Sequence, residues 1–314
     1  MGGSLHTILG AGGVVGRETA KALHKAGQTV RLVSRHPVKV NENDMLHSAD
    51  LTNGEAVMAA LEGSETAYLT VGLPYRTKIW REQWPVIMRN VIEACARHQT
   101  RLIFLDNVYM IDPAHLSRMT EASPYGPVSG KGAVRREVAE MLLDAMKTGK
   151  VRGAIARAAD FYGPDNDKSV MVELVFKNLH KNKPAMWLGN PDKKHNYTYT
   201  PDIGRVMALL GTDAKGLGRV WHIPSSEAYT GREWVEKIAA ALQVKPRIKS
   251  ISRGAARVFG LFNTDVRESV EMIYQFENDY FLDGSDLEKH FNFNATAAEE
   301  AIKSIITADF GKTG

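Results

Sequence analysis

Short apolar runs of strand length take turns along the chain with segments whose apolar positions recur at helical spacing, and that alternation lays out the fold. "HTILG" (6–10) is a short apolar run of strand length. The following segment places Val15, Thr19, Ala22, Leu23 and Ala26 on one helical face and stops at Gly27, a residue that terminates helices. "TVRLVS" (29–34) and the stretch around "DMLHSAD" (44–50) read as the second and third strands. A helix is expected from about Asn53 to Leu61, then a fourth strand at "TAYLTVG" (66–72) and a long helix from about Trp80 to His98. "RLIFLD" (101–106), "AVRREVAEMLLDAMK" (133–147) and "VRGAIARA" (151–158) continue the series as strand, helix, strand. Strands alternating with helices at this spacing predict an α/β fold, a doubly wound parallel sheet covered on both faces. Ligands of such sheets bind outside the carboxyl ends of the strands.

Beyond about Phe161 the rhythm changes. "PAMWLG", "NYTYT" and "RVWHIP" are short strands separated by Gly, Asn and Pro turns, and no Ser/Gly-rich linker sets this part off. The division expected is residues 1–160 as a nucleotide-binding domain. Residues 161–314 then form mainly a smaller C-terminal substrate lobe, with some segments returning to the core.

Composition narrows the class. The 314 residues can bury a sizeable core. Forty basic against thirty-six acidic residues leave a net charge of +4, too slight and scattered to indicate nucleic acid. The most basic stretch, "KPRIKSISRGAAR" (245–257), lacks interleaved aromatics and reads as a solvated face. No apolar run approaches the roughly 18–20 residues of a membrane span. Gly2 follows Met1, but His6 stands where an acylation signal needs Ser or Thr. Cys95 is the single cysteine, in an apolar helical pattern. It excludes an intrachain disulfide and suits a reducing, cytoplasmic setting.

The chemistry begins at "GAGGVVG" (10–16), with Gly10, Gly13 and Gly16 at three-residue intervals between an apolar strand and an amphipathic helix. In that context the glycines allow a tight turn and close backbone approach to a pyrophosphate. The helix N-terminus, with Val14 and Val15, faces its charge. An acidic residue at the end of the second strand would favour NAD. This chain has Ser34 and Arg35 there, which favours the 2′-phosphate of NADP, with NAD still possible. Asp50, followed by Leu51, is placed either to meet the adenine or to form a turn. Val71 and Gly72 close the fourth strand on the same cofactor side.

These residues resemble the short-chain dehydrogenase/reductase superfamily, extended branch, as in the NAD-dependent epimerase/dehydratase-like proteins. "RAADFYGP" (157–164) is similar to that family's Arg-x-x-Asn-Val-Tyr-Gly-Pro, and "HNYTYTPDIGRVM" (195–207) to its Arg-Asp-Phe-x-Tyr-Val-x-Asp stretch. The resemblance implies a Rossmann-type sheet, a nicotinamide cofactor, a small-molecule substrate and a possible homodimer. It also implies a catalytic Tyr-x-x-x-Lys. Lys131 fits the lysine, but Pro127 occupies the tyrosine position and has no proton to give. Tyr125 lies two residues further upstream. Asp106, Asn107 and Tyr109 cluster at the end of the fifth strand, where the family's Ser/Thr is missing. Tyr109 is the strong proton donor among them, while Asp106 and Asn107 either meet a ligand or cap the following turn. Asp160 takes the family's Asn position beside the nicotinamide, and Tyr75, Tyr162 and Tyr199 are the expected substrate residues. No His/Cys spacing suggests a metal, and His195 alone reads as a pocket or surface residue. Trp80, Trp84, Ile87, Val91 and Ile92 read as core or subunit interface.

The reading that follows is an NAD(P)-dependent oxidoreductase of atypical extended type reducing a small carbonyl compound. Lys131, Tyr109, Asn107 and Tyr125 are its catalytic candidates. The alternatives are a nucleotide-sugar epimerase/dehydratase, or an NADP(H)-binding redox sensor without turnover.

Overall fold

Continuous burial along the strands, with both faces covered, makes the central sheet. The computed structural model describes residues 3–311, and Gly2 lies outside the described residues. Strands β1 (Leu5–Leu9), β2 (Thr29–Ser34), β3 (Met45–Ser48), β4 (Thr66–Leu69), β5 (Arg101–Asp106) and β6 (Gly153–Arg157) pair in the order β3-β2-β1-β4-β5-β6. Each of those pairings is parallel. Ile8, Leu9, Leu32, Val33, Ala67, Leu69, Ile103, Phe104 and Ile155 are fully buried, as expected where helices cover both faces. The order reverses between β1 and β4. That is the switch point where α/β sheets open a crevice for ligands.

The strand Val220–His222 corrects the expectation for "RVWHIP". It joins this sheet beside β6 as the seventh strand. Its position is set by hydrogen bonds from Gly218 N–H to Gly153 O at 2.7 Å and from Ile155 N–H to Arg219 O at 3.2 Å. A three-residue strand has too little pattern of its own to reveal its partner.

Helices α1 (Val14–Lys25), α2 (Gly54–Leu61), α3 (Thr77–His98) and α4 (Gly130–Lys147) connect the strands. Asn53 caps α2 by accepting the Ala56 N–H at 3.1 Å. Both α3 and α4 begin three residues before the positions their apolar patterns indicate, because the first turns carry Thr77 and Lys131 rather than core residues. Trp80, Trp84, Ile87, Val91 and Ile92 on α3 are buried within the single chain. They are therefore core, and no subunit interface is needed to cover them.

Contacts divide the chain into two compact units. The first holds the residues up to Tyr109, with Lys131–Arg157 and Pro201–Trp221. The second holds Met110–Gly130, Ala158–Thr200 and the residues from His222 onward. Segment 110–130, expected in the first domain, belongs to the second. The bridge Met119↔Leu282 and the bonds from Met119 N–H to Phe281 O at 2.7 Å and from Asp283 N–H to Met119 O at 2.8 Å tie it there. The core of the second unit is aromatic, built around Tyr162, Phe176, Trp187, Tyr197, Trp234, Ile238, Phe276 and Ile302.

Candidate active site

The glycine turn is built for close backbone approach. Gly10 has φ +98°, and a Cβ there would lie 2.5 Å from the Val71 backbone. A Cβ at Gly16 would lie 2.9 Å from Ala11 Cα, so that glycine lets α1 pack onto the strand. At Gly12 and Gly72 a Cβ would meet nothing within 4 Å, so open space lies on both sides of the turn. Gly13 is the N-cap of α1, and neither a capping side chain nor a first-turn acid offsets the positive end of the helix. Val14 is half-buried and Val15 buried.

At the end of β2, Ser34 Oγ is buried without a hydrogen-bond partner. Arg35 is exposed, its carbonyl accepting the Ser48 hydroxyl at 2.8 Å. Asp50 forms a turn: one carboxylate oxygen accepts the Thr52 N–H at 2.9 Å and hydroxyl at 2.8 Å. Those bonds hold its carboxyl below the usual range, with a smaller pull from the Arg35 charge. Leu51 is buried behind it. A dinucleotide fits this cradle: the turn is open, the helix end is uncapped, and the unpartnered Ser34 hydroxyl stands where β2 ends.

Where β4 and β5 end, the first unit gathers a second cluster. Lys131, on the first turn of α4, is fully buried. Its ammonium donates to the Thr77 hydroxyl at 3.1 Å and lies 4.4 Å from the centre of the Tyr75 ring. The Tyr75 hydroxyl lies 3.5 Å from that of Tyr109, and the Tyr109 ring stacks on Trp80 with centroids 6.3 Å apart. Sequence reasoning picked out Lys131, Tyr75 and Tyr109 separately. The fold puts them together and adds Thr77, a residue with no signal of its own.

Asp106 and Asn107 are used by the protein itself. Asp106 is 1% exposed and accepts from Arg135 Nε at 2.9 Å and Nη2 at 2.5 Å. Its other oxygen accepts from Arg157 Nε at 3.3 Å. The Arg135 guanidinium also lies 4.4 Å from the Trp84 ring centre. Asn107 Oδ1 accepts the Tyr109 N–H at 3.1 Å, which fixes the turn that presents Tyr109. Of the two alternatives for Asp106 and Asn107, capping and pairing is what the geometry shows. The two arginines were missed, although Arg135 follows Lys131 by four residues on the inward face of α4 and so carried a readable signal.

The second unit holds the remaining candidates. Tyr125 is half-buried, its backbone bridged to Ile111. Tyr162 is wholly buried and packs edge-on against Tyr197 and Trp234. Tyr199 is 7% exposed and packs on Tyr162. This corrects the expectation that Tyr162 faces substrate: a ring with no accessible surface in an aromatic core is packing. Asp160 keeps a partly exposed carboxylate, and His195 Nε2 lies 3.0 Å from its Oδ2. His195 is neither a surface residue nor a pocket wall, being 1% exposed between the stacked rings of Phe276 and Tyr280. Among the described residues no helix is long and apolar enough to cross a membrane. No three His, Cys, Asp or Glu side chains among them gather as a metal site would require.

Comparisons agree with this architecture. No protein of curated function matches the sequence. Among solved structures, the chain is similar to dTDP-glucose 4,6-dehydratase from Bacillus anthracis str. Ames in complex with NAD. The TM-score is 0.81 at 13% identity, covering 99% of this chain and 97% of that one. It is also similar to UDP-glucose 4-epimerase from Thermus thermophilus in complex with NAD, with a TM-score of 0.77, 17% identity and coverage of 97% and 98%. UDP-N-acetylglucosamine 4-epimerase from Bacillus cereus gives a TM-score of 0.76, 14% identity and coverage of 96% and 95%. The sequence profile of the NAD dependent epimerase/dehydratase family matches residues 6–223. With its glycine cradle, its sheet order and that match over more than half its length, the chain belongs to the NAD dependent epimerase/dehydratase family.

Proposed function

We propose that this family member is an NADP-dependent oxidoreductase acting on a carbonyl or carbinol carbon of a small molecule. The observation that carries the reading is the cluster of Lys131, Thr77, Tyr75 and Tyr109. It combines a buried cation with two phenols, one able to give up a proton and the other to relay it. The relatives solved with NAD support a nicotinamide dinucleotide, and the fit of the cradle supports where it is held. When bound, that cofactor supplies or accepts hydride.

The residues then divide the work. Backbone N–H groups of the Gly10–Gly16 turn, through Gly13, Val14 and Val15, hold the pyrophosphate. Ser34 and Arg35 take the adenosine ribose and its 2′-phosphate, a bidentate task for which a guanidinium is suited. Asp50 and Leu51 bound the adenine, and Val71 and Gly72 the far side of the turn. Lys131 holds the nicotinamide ribose and sets its positive charge beside the Tyr75 ring. Tyr109 moves the proton at the substrate oxygen, with the Tyr75 hydroxyl as relay. Asn107 fixes the Tyr109 turn. Tyr109 is preferred to Tyr125 because Tyr109 lies in the same cluster as Tyr75 and Lys131. The family resemblance also supports a homodimer, which light scattering tests.

Titration with NADPH and NADH, read by energy transfer from tryptophan, tests the cofactor assignment. NADPH is expected to bind roughly tenfold or more tightly than NADH, and Arg35→Ala to remove the difference. Equal binding of both would overturn the NADP assignment. Tyr109→Phe should abolish turnover while Tyr125→Phe preserves it, and turnover surviving Lys131→Ala would refute the mechanism.

A further inference from the structure

The most basic stretch of the sequence takes no part in the glycine cradle or the lysine cluster. From 245 to 263 the chain carries Lys245, Arg247, Lys249, Arg253 and Arg257 and not one Asp or Glu. Strand Ile248–Ile251 pairs with strand Ala185–Leu188 and leads into helix Arg253–Gly260. Ser252 caps that helix by accepting the Ala255 N–H at 3.2 Å. Lys245, Arg247, Lys249 and Arg257 are exposed. Arg253 is half-buried, 3.9 Å from a carboxylate oxygen of Glu277. Extending the stretch to Ser269 adds Arg267 against Asp265 and Glu268, so the balance stays positive.

The helix has a small inward face and a large outward one. Ala256 and Gly260, four positions apart, are its buried residues. Val258 and Phe259 lie off that face, and Leu261 and Phe262 follow in the turn that closes the helix. All four are at least 60% exposed, and Phe262 reaches 89%. The turn is ordered by bonds from Phe262 N–H and Asn263 N–H to the Phe259 carbonyl at 3.0 and 3.1 Å. Asn263 Oδ1 then caps helix Thr264–Ser269, accepting the Asp265 and Val266 N–H groups at 2.9 and 3.2 Å. The two helices cross where Gly260 lies against Arg267, which braces the apolar corner between them. Single exposed apolar residues need no explanation, but four within five positions do. A purely solvated face, the reading the composition suggests, leaves them unaccounted for.

Whatever covers this corner has to be apolar where the phenylalanines reach and negative where the basic residues stand. An anionic bilayer offers both together, phosphates at its surface and acyl chains just beneath. We propose that the corner 257–263, with the basic strand before it, is a docking surface for an anionic lipid bilayer. Phe259, Leu261 and Phe262 enter the boundary between headgroups and acyl chains, while Lys245, Arg247, Lys249 and Arg257 meet the lipid phosphates. The protein then lies on a membrane surface without spanning it, since among the described residues no helix is long and apolar enough to cross. The inference is independent of the cofactor and of the reaction.

Co-sedimentation of the full-length protein with vesicles tests this, one set of phosphatidylcholine alone and one containing about one-third phosphatidylglycerol. Binding to the anionic set is expected to be at least roughly tenfold tighter and to weaken steeply with added salt. Phe259→Ser combined with Phe262→Ser should weaken it roughly tenfold or more, and Lys249→Ala combined with Arg257→Ala should do the same. All four positions are exposed, so both variants should fold, which circular dichroism checks. Cys95 is buried, so Phe262→Cys offers one accessible thiol for an environment-sensitive fluorophore. Its emission should shift to the blue on anionic vesicles and be quenched by probes held among the acyl chains. Equal binding to both vesicle sets, binding to neither, or wild-type affinity in the double phenylalanine variant would overturn the proposal. So would a dimer, seen by light scattering, that the double phenylalanine variant dissociates, because a second copy would then be what covers the corner.

Discussion

Replacing Asp106 by Ala strips the negative charge from between Arg135 and Arg157, both nearly inaccessible to solvent. Three hydrogen bonds from the two guanidinium groups are lost at once, as is the bond from Asn107 N–H to Asp106 Oδ1 at 2.8 Å. Arg135 retains the Leu105 carbonyl at 3.2 Å and the faces of Trp84 and Phe104, so it keeps some stabilisation. Arg157 loses its carboxylate partner. Removing one member of a buried ion pair costs about 3–5 kcal/mol because it leaves an uncompensated charge. That is a fall in Tm of about 6–20 °C, at about 2–4 °C per kcal/mol. Urea unfolding of wild type and Asp106→Ala, followed by tryptophan fluorescence, measures the loss. The double variant Asp106→Ala with Arg157→Met should recover about half of it, since one stranded cation is gone. A loss below about 1 kcal/mol, the size expected of an exposed pair, would refute the buried-triad reasoning. So would a double variant that is no better than the single one. Since Asn107 and Tyr109 follow directly on this network, the variant should also lower turnover in whatever fraction remains folded.

Gly10→Ala places a methyl group 2.5 Å from the Val71 backbone on a residue with φ +98°. It should cost about 2–4 kcal/mol and abolish NADPH binding, and near-native affinity would sink the account of the turn. His6 is buried against Tyr68, with Nδ1 2.7 Å from its hydroxyl, and burial lowers its pKa below 6.5. The unfolded imidazole takes up a proton below pH about 6.5 and the folded one resists, so its contribution is full above that pH and declines as pH falls below it. Tm should drop between pH 7 and pH 5.5, and His6→Asn should flatten that slope. An unchanged slope would remove His6 as its cause.

Much of the architecture was readable from one chain because helices and strands of an α/β sheet announce themselves locally. The apolar runs at β1, β2 and β5 and the inward face of α1 need no knowledge of their partners. The glycine turn was equally legible, because Gly10 and Gly16 occupy backbone positions that side chains cannot share. Lys131 could be singled out by its place on the buried face of α4. Elements whose identity lies in their partners were not legible. The strand Val220–His222 is three residues long, and only its hydrogen bonds to β6 make it part of the main sheet. Segment 110–130 follows β5 closely and belongs to the other unit through the bridge of Met119 to Leu282, far along the chain.

The same distinction governs the chemistry. By itself the sequence determined the fold class, the dinucleotide turn and the absence of a tyrosine at position 127, since each depends on residue type and spacing. Tertiary structure alone decided that Asp106 belongs to Arg135 and Arg157, that Tyr162 is core, and that Tyr75 and Tyr109 share a site with Lys131. It also decided that Asp160 and His195, thirty-five positions apart, form one pair. The physical reason is that a charged or phenolic side chain has no fixed role until its neighbours set its solvation and its hydrogen-bond partners. Those neighbours come from distant segments that only the folded chain brings together.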